Sequence, residues 1–199
     1  MPKTKTKIKS HRARRSSRRG MQNRRYRKTE EAILEVLLKS KTIPSTTELT
    51  RKAHISRSTL YRHHRAMPGI IPDYERNILI AFKRSSRKIS RQANVNLEKI
   101  YLGMLIFILR YKRVFKILFK YSGDRVVENM VLEVKTLIIS ICHLPKNSDR
   151  MFKIYAKEVA GIVEDWGEKG FPKDEVNHIL KNIVYFTTTM RQRLGPIRE

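Results

Sequence analysis

The stretch from Leu49 to His64, LTRKAHISRSTLYRHH, contains the local pattern that decides the fold. Its first half keeps apolar residues on one helical face as far as Ala53. His54-Ile55-Ser56 then interrupts the periodicity with an apolar residue in a turn and a capping serine. From Arg57 to about His64 the helical pattern resumes, with most side chains pointing away from a single inward leucine. The stretch therefore predicts two short helices joined by a tight turn.

Two signals before this stretch complete a three-helix unit. Apolar residues recur at spacings of three and four after Lys28, with Thr29 as the predicted N-cap and Ser40 to Pro44 as the stop. Ser45-Thr46-Thr47-Glu48 has the pattern of a capping box, in which the serine accepts from the backbone and the glutamate folds back to a second donor. Three short helices with a tight turn before the last predict a helix-turn-helix unit over residues 28–70.

Residues 71–199 also have a helical pattern, because long apolar periodicities are separated by brief breaks and no alternating strand pattern competes. Arg84 to Asn96 is polar and is predicted to be a flexible connection, and Gly170 is predicted to follow a helix end. The predicted helices are Asp73–Lys88, Leu97–Lys120, Asp124–Cys142, Asp149–Lys169 and Lys173–Arg193. The predicted fold class is all-α, with an N-terminal helix-turn-helix domain and a C-terminal helical bundle for ligand binding and dimerisation.

The distribution of charge indicates the kind of partner that the chain binds. The 199 residues contain 44 Lys and Arg against 18 Asp and Glu, a formal charge of +26, and 13 of the cations lie in the acid-free segment 1–28. Few side chains there can bury apolar surface, so residues 1–27 are predicted to be a flexible basic arm. Cations that neutralise DNA phosphates release counterions, which gives salt-sensitive affinity for any duplex. The arm predicts binding to a polyanion without base selectivity, and a solubilising tail is the alternative.

Several classes of function fit the sequence poorly. The longest charge-free stretches, Ile100–Leu109 and Thr136–Pro145, are too short to span a membrane, and the N-terminus has no apolar core of a secretory signal. We therefore expect a cytoplasmic protein without membrane contact, whose single cysteine, Cys142, is a buried thiol. Catalytic triads, phosphate-binding glycine loops and metal-ligand spacings do not occur in the sequence. We expect no enzyme activity, no catalytic residue, no metal and no cofactor.

The stretch from Leu49 to His64 resembles the DNA-binding signature of the TetR family of transcriptional regulators. That signature is Ile-Ala, two variable residues, Ala-Gly-Val-Ser, a variable residue, Gly-Thr-Leu-Tyr, a variable residue and His-Phe. The identical residues are Ala53, Ser56, Thr59, Leu60, Tyr61 and His63, and the conservative ones are Leu49 and Ile55. The departures are Thr50, His54, Ser58 and His64, which replace Ala, Gly, Gly and Phe. A histidine at the turn glycine implies backbone strain if the residue needs positive φ.

The resemblance implies that the helix from Arg57 to His63 enters the major groove of DNA. Hydroxyl and phenol groups donate to phosphates and fix the register, whereas arginine has the planar fork that reads guanine. The preceding helix N-terminus offers backbone donors to a phosphate, and the basic arm can follow the backbone or minor groove. The predicted DNA-binding residues are Arg24, Arg25, Arg27, Lys28, Ser45, Thr46, Thr47, Ser56, Arg57, Ser58, Thr59, Tyr61, Arg62, His63 and Arg65. Packing for Tyr61, capping for Ser56 and solvation for the two helix arginines are the alternatives.

A weaker resemblance covers Glu158–Pro172, which is similar to the late helix of TetR-family C-terminal domains, where small residues lead to a Trp and a Gly. The family pairs its last two helices with those of a partner subunit. This implies a homodimer formed here by Asp149–Lys169 and Lys173–Arg193. One face of the last helix is apolar and fits either that interface or the core of one chain. Its residues are Ile179, Ile183, Phe186 and Met190.

The family also holds a small ligand in its second domain, which implies an effector of unknown identity. The aromatic residues of the predicted helix Leu97–Lys120 either line such a cavity or form an ordinary core, and we favour the core. They are Tyr101, Phe107, Tyr111, Phe115 and Phe119. No ligand-binding residue is predicted.

Taken together, the sequence predicts a sequence-specific DNA-binding transcriptional regulator that acts as a dimer on a palindromic operator, by family habit as a repressor. Its predicted partner is double-stranded DNA, and its predicted location is the nucleoid. The alternative is a sequence-indifferent basic nucleic-acid-binding protein, associated with the nucleoid or with RNA, in which the arm dominates binding. A third class, a partner-binding helical scaffold, would show no affinity for DNA at physiological salt.

Overall fold

The computed structural model describes residues 24–64, 69–92, 94–144 and 149–194, and every regular element within these ranges is an α-helix. The predicted all-α class is confirmed for that part of the chain. The first helix, α1, covers residues 24–39. The others are α2 Thr46–Lys52, α3 Arg57–His63, α4 Ile70–Ser90, α5 Leu97–Arg110, α6 Lys112–Ser122, α7 Arg125–Glu133, α8 Lys135–Cys142, α9 Asp149–Glu168 and α10 Val176–Leu194. The chain separates into two compact units, Met1–Met67 and Pro68–Glu199.

In the first unit, α1 begins earlier than predicted. Residues 24–27 are helical although we expected them in the flexible arm, and Thr29 lies inside the helix, so its prediction as an N-cap is wrong. The ring of Tyr26 stacks on His63 of α3, and this contact favours the additional helical turn. Residues 1–23 of the predicted arm lie outside the described residues.

The caps of α2 and α3 follow the predicted pattern. Ser45 Oγ accepts from the N–H of Glu48 at 3.2 Å and Ser56 Oγ accepts from the N–H of Thr59 at 3.1 Å, so both N-caps are confirmed. Glu48 was expected to fold back to the serine, but its carboxylate accepts from Lys52 Nζ at 2.6 Å, one turn further on. The inner faces of the three helices bury the core residues Ile33, Leu37, Leu49 and Leu60.

In the second unit, α4 is longer at both ends than predicted. It begins at Ile70 because Pro72 occupies the first turn, where a missing N–H costs no helical hydrogen bond. The polar segment Arg84 to Asn96, which we expected to be a flexible connection, is helical to the end of α4. Ile89 packs directly on Gly103 of α5, and this contact holds the last turn of α4 in place.

Two helices that were predicted as continuous are each interrupted by one residue. Tyr111 separates α5 from α6, and its N–H donates to the carbonyls of both Phe107 and Ile108, which tightens the last turn of α5. Val134 separates α7 from α8, with its N–H bonded to Val131 O at 3.2 Å. Because only one residue leaves the helix, the apolar spacing continues across each break, and periodicity alone does not reveal it.

The end of α9 has the predicted form. Gly170 has φ +85°, and the N–H of Phe171 reaches back to Trp166 O at 3.1 Å, so the predicted glycine after the helix is confirmed. Trp166 is fully buried, and its Nε1–H donates to Pro172 O at 2.9 Å. The next helix begins at Val176, later than the predicted start.

The predicted aromatic residues of α5 and α6 pack in the core of the second unit. Phe107 contacts the rings of Phe82, Tyr111 and Phe115. Tyr101 and Phe115 are fully buried, which agrees with their interpretation as core residues. Around them, α5 packs on both α4 and α10, and α7 packs on α9.

The apolar face of α10 also belongs to the core of a single chain. Ile179 and Ile183 are buried, and Phe186 stacks on Tyr155 with ring centroids 5.7 Å apart. Of the two explanations that the sequence left open for this face, packing within one chain therefore holds for these residues. Cys142 is buried, as expected. Within the described ranges, no helix has both the length and the apolar content to cross a membrane.

A chain of hydroxyl groups joins α5, α9 and α10 inside this core. Tyr101 OH hydrogen-bonds to Tyr155 OH, which lies 2.7 Å from Thr187 Oγ1, and the threonine donates to Ile183 O at 2.7 Å. Burial raises the pKa of Tyr155 to about 12 and the pKa of Tyr101 well above its ordinary value. Both phenols are therefore neutral across the physiological pH range and can satisfy each other in an apolar environment.

Candidate nucleic-acid interface

The outer face of α3 presents predicted DNA-binding side chains together. Arg57, Ser58 and Arg62 are exposed, and Tyr61 keeps 48% of its surface accessible. Leu60 on the opposite side is fully buried and therefore fixes which face of the helix points outward. The result is a surface of guanidinium, hydroxyl and phenol groups that the core does not use.

The N-terminus of α3 carries a cluster of hydroxyl groups. Ser56 Oγ lies 2.9 Å from both Ser58 Oγ and Thr59 Oγ1, in addition to its capping bond. A hydroxyl has one proton and two acceptor positions, so each of these groups can reorient toward an anion without losing every internal bond. At a helix N-terminus this arrangement suits a phosphate oxygen.

Arg57 connects α3 to α2. One of its guanidinium nitrogens donates to Thr47 Oγ1 at 2.8 Å, which places the start of α2 beside the arginine. Ser45 and Thr47 are exposed there, and Thr46 is half-buried. Arg62 lies 3.5 Å from Thr59 Oγ1, at the limit of a hydrogen bond. The structure thus brings the predicted residues of the two helices onto one surface.

The turn between α2 and α3 has the left-handed residue that the resemblance implied. His54 has φ +53°, and the following N–H, of Ile55, donates to Thr50 O at 3.0 Å. A side chain in this region costs on the order of 1 kcal/mol relative to glycine. Thr50, another departure from the family pattern, satisfies its hydroxyl within its own helix by donating to Thr46 O at 2.9 Å.

His63 does not belong to the outer face, and the prediction that it points outward is wrong. Its side chain is 2% exposed, Nδ1 lies 3.1 Å from Glu30 Oε2, and its ring stacks on Tyr26 with centroids 4.0 Å apart. The physical reason is position: the C-terminal end of α3 packs on α1, and the imidazole fills that contact. Binding of DNA by this side chain would require α1 to move.

Glu30 and Tyr26 are the residues of this region that sequence reasoning missed. The carboxylate of Glu30 meets both histidines at the end of α3, since His64 Nε2 lies 3.6 Å from its Oε1. His64 is 3% exposed and occupies the position of the family phenylalanine as a buried ring. Local spacing could not indicate these contacts, because they join positions more than thirty residues apart. The one available signal was an aromatic residue, Tyr26, within an otherwise polar segment.

The remaining predicted cations lie on α1 or outside the described residues. Arg24, Arg25, Arg27 and Lys28 are exposed along the first turns of α1. Arg65 lies outside the part of the chain that the structure describes.

The charge balance of the first unit leaves the arginines of α3 available. Residues 1–67 contain 20 Lys and Arg against 4 Asp and Glu. Three of these acids contact histidine or lysine: Glu30 contacts His63, Glu35 contacts Lys39 and Glu48 contacts Lys52. Among the described residues, no ion pair involves an arginine of α3. The same part of the chain contains no group of three or more His, Cys, Asp or Glu placed to hold a metal ion.

Comparison with known proteins identifies no relative of this chain. No family model matches the chain, and neither a curated protein nor a solved structure matches it.

Proposed function

We propose that the chain is a sequence-specific DNA-binding transcriptional regulator of the TetR type, which acts as a homodimer on a palindromic operator. In this proposal it acts as a repressor, as members of that family usually do. The outer face of α3 carries the proposal. It combines two exposed arginines with a hydroxyl cluster at the helix start, and Arg57 is held against α2. In this proposal α2 and α3 form a helix-turn-helix, and the second unit is the regulatory bundle.

The chemistry of this face suits a division between positioning and reading. Hydroxyl groups of Ser56, Ser58 and Thr59 would donate to phosphates and fix the register of α3 on the duplex. The guanidinium groups of Arg57 and Arg62 would read base edges in the major groove, where guanine presents two acceptors to a planar fork. The exposed cations of α1 would add affinity for the backbone without reading sequence.

A dimer would give the operator its symmetry. Surface residues of α9 and α10 support this part of the proposal, because Met151 and Ile154 on α9 are 42% and 51% exposed and Tyr185 on α10 is 73% exposed. Apolar and aromatic side chains of this kind are common in the buried part of an interface between subunits. A two-fold dimer places two copies of α3 on equivalent half-sites.

Selection of bound duplexes from a random library tests the proposal directly. The full-length protein at physiological salt should enrich one motif with two inverted half-sites about one helical turn apart, or a multiple of it. Enrichment of an asymmetric motif would refute the dimer but keep the specificity. Recovery of unenriched DNA would refute sequence-specific binding.

The charge excess of the first unit favours a second candidate, a sequence-indifferent nucleic-acid-binding protein. Deletion of residues 1–23 separates the two, because it removes nine cations and leaves α1 and α3 intact. A specific regulator loses affinity for every duplex but keeps its preference for the selected motif over a scrambled one. Under the second candidate, no preference exists before or after the deletion.

A further inference from the structure

In the second unit, α6 has a cationic surface that the proposed function does not use. Residues 99–123 contain six Lys and Arg and no acidic residue. Three of these cations, Lys112, Arg113 and Lys116, are exposed on α6, while Leu118 on its opposite side is fully buried. We call these three residues the α6 cationic face.

The local electrostatics of α6 disfavour these charges. Lys112 and Arg113 occupy the first turn, which contains no acidic residue and no capping side chain. The N-terminal end of a helix is its positive end, so cations there are repelled by the helix dipole. Lys116 follows Lys112 by four positions, and like charges at that spacing also destabilise a helix. None of the three takes part in an ion pair within the described residues.

Another cluster in the same unit shows the contrast. Arg84, Arg87 and Lys88 are likewise exposed, and none of them forms an ion pair with a described residue. Arg87 and Lys88 lie in the last turn of α4, where the negative end of the dipole attracts cations. The dipole therefore favours Arg87 and Lys88, whereas the dipole of α6 disfavours its first-turn cations. Arg84 and Lys88 have the same four-residue spacing as Lys112 and Lys116, so the contrast between the two clusters rests on the dipole.

We propose that the α6 cationic face binds the phosphate backbone of nucleic acid as a second contact surface, separate from α3. The inference rests on the DNA binding proposed above. A bound polyanion would offset both unfavourable terms, because it neutralises the like charges and is attracted to the positive end of the helix. Contact with phosphates adds affinity and salt dependence but no base preference.

Salt titration of DNA binding by three full-length proteins tests this inference. The proteins are the wild type, the triple variant K112Q/R113Q/K116Q and the matched control R84Q/R87Q/K88Q, which changes the charge of the same unit by the same amount. The probe is a duplex of scrambled sequence, so that base reading does not contribute. Glutamine is a good helix former, and circular dichroism checks that both variants fold.

The slope of log K against log salt concentration should become shallower by about 2 to 3 for the α6 variant, because each lost phosphate contact contributes about 0.9. The control should change it by less than about 1, which corresponds to at most one contact. The single variants K112Q and R113Q should each give about one contact's share. Equal slopes in all proteins, or the same loss in both triple variants, would overturn the inference.

Two further results keep this inference separate from its alternatives. In the first, vesicles containing phosphatidylserine bind the wild type and the control but not the α6 variant, and the DNA slope stays unchanged. This result would assign the surface to a membrane and overturn the proposal. If random-library selection finds no motif but the slopes differ as expected, the proposed regulator fails and the α6 contact stands. If a motif is found and the slopes agree, only the α6 contact fails.

Discussion

The two units use charge differently. In the first, the arginines of α3 and the cations of the first turns of α1 are exposed, and three of the four acids contact histidine or lysine elsewhere. In the second, cations on several helices pair with acids of the same unit. These pairs are Arg76–Asp73, Lys83–Glu133, Arg125–Glu75, Lys135–Asp149 and Lys169–Glu175. The exposed arginines of α3 and the cations of α1 are therefore available to an external polyanion, whereas five cations of the second unit are neutralised by acids of the same unit.

The pair between Arg125 and Glu75 illustrates the second case. One guanidinium nitrogen donates to both carboxylate oxygens, at 2.7 and 2.8 Å, and this hydrogen bonding raises the pKa of Arg125. The pair connects α7 to α4. Because it lies at the surface, its contribution to stability is small compared with burial of the core. The comparison therefore predicts that stability depends mainly on the core of the second unit and DNA binding mainly on the surface of the first.

The largest expected effect is on the core of the second unit. Trp166→Ala removes a fully buried side chain, its hydrogen bond to Pro172 O and its edge contact with Phe171. We expect a loss of about 3 to 5 kcal/mol in the free energy of unfolding, measured by denaturant titration. Ile106→Ala, at a 54% exposed position of α5 away from the proposed dimer interface, is the control and should change it by less than about 0.5 kcal/mol. A small effect of the tryptophan substitution would contradict the assigned packing.

The second effect is a loss of stability at alkaline pH. Burial raises the pKa of Tyr155 to about 12, so the folded chain favours the neutral phenol. The preference of the folded chain for the neutral phenol contributes about 2 to 3 kcal/mol to the free energy of unfolding. The contribution is fully present below the unfolded tyrosine pKa of about 10 and is lost as the pH rises toward the pKa in the folded chain. Denaturant midpoints between pH 8 and 11 should fall in the wild type. The variant Y101F/Y155F, which has neither titrating phenol, should show a flatter profile, and identical profiles would count against the buried hydroxyl chain.

The third effect concerns the surface of the first unit. Arg57→Ala should relax base preference by about 1 to 3 kcal/mol at one operator position, and leave the free energy of unfolding within about 0.5 kcal/mol of the wild-type value. Arg57→Lys is the matched control, because it keeps the charge but loses the planar fork. If the arginine reads a base, the lysine variant loses preference as well. Full preference in both variants, with the alanine variant binding every duplex more weakly, would show that the arginine contacts phosphate instead.

Local signals predicted the bounds and caps of α2 and α3 well and the second unit only in part. The caps Ser45 and Ser56 and the buried Leu60 follow from a few neighbouring residues, and the structure agrees with each. The breaks at Tyr111 and Val134 were missed because each removes only one residue from a continuous apolar pattern. Whether one helix or two results is decided by packing against other helices, which the spacing does not encode.

The candidate site also combines features that neighbouring residues predict with one that depends on packing against another helix. Arg62 follows Leu60 by two positions, about 200° around the helix, so helical geometry alone predicts that it points outward. Arg57 precedes Leu60 by three positions, closer to the buried side, and is exposed in the first turn of α3. His63 follows Leu60 by three positions, so the same geometry places it toward the buried side of α3, where α1 extends far enough to bring Glu30 and Tyr26 onto it. Tertiary contact with a distant segment changed the role of that side chain, and no single-helix argument contains that segment.

The smallest expected effect is a gain in stability, and it tests the turn that links α2 and α3. His54 is exposed and has φ +53°. Glycine adopts this left-handed conformation without steric strain, because it has no Cβ atom to clash with the backbone. His54→Gly should therefore raise the free energy of unfolding, net of the larger chain entropy of glycine, by about 0.5 to 1 kcal/mol. His54→Ala keeps the steric cost and should give no such gain. Both variants should retain base preference, because the imidazole is not part of the outer face of α3. Equal stability of the glycine and alanine variants would show that position 54 is not left-handed in solution, and that the turn differs from the one described.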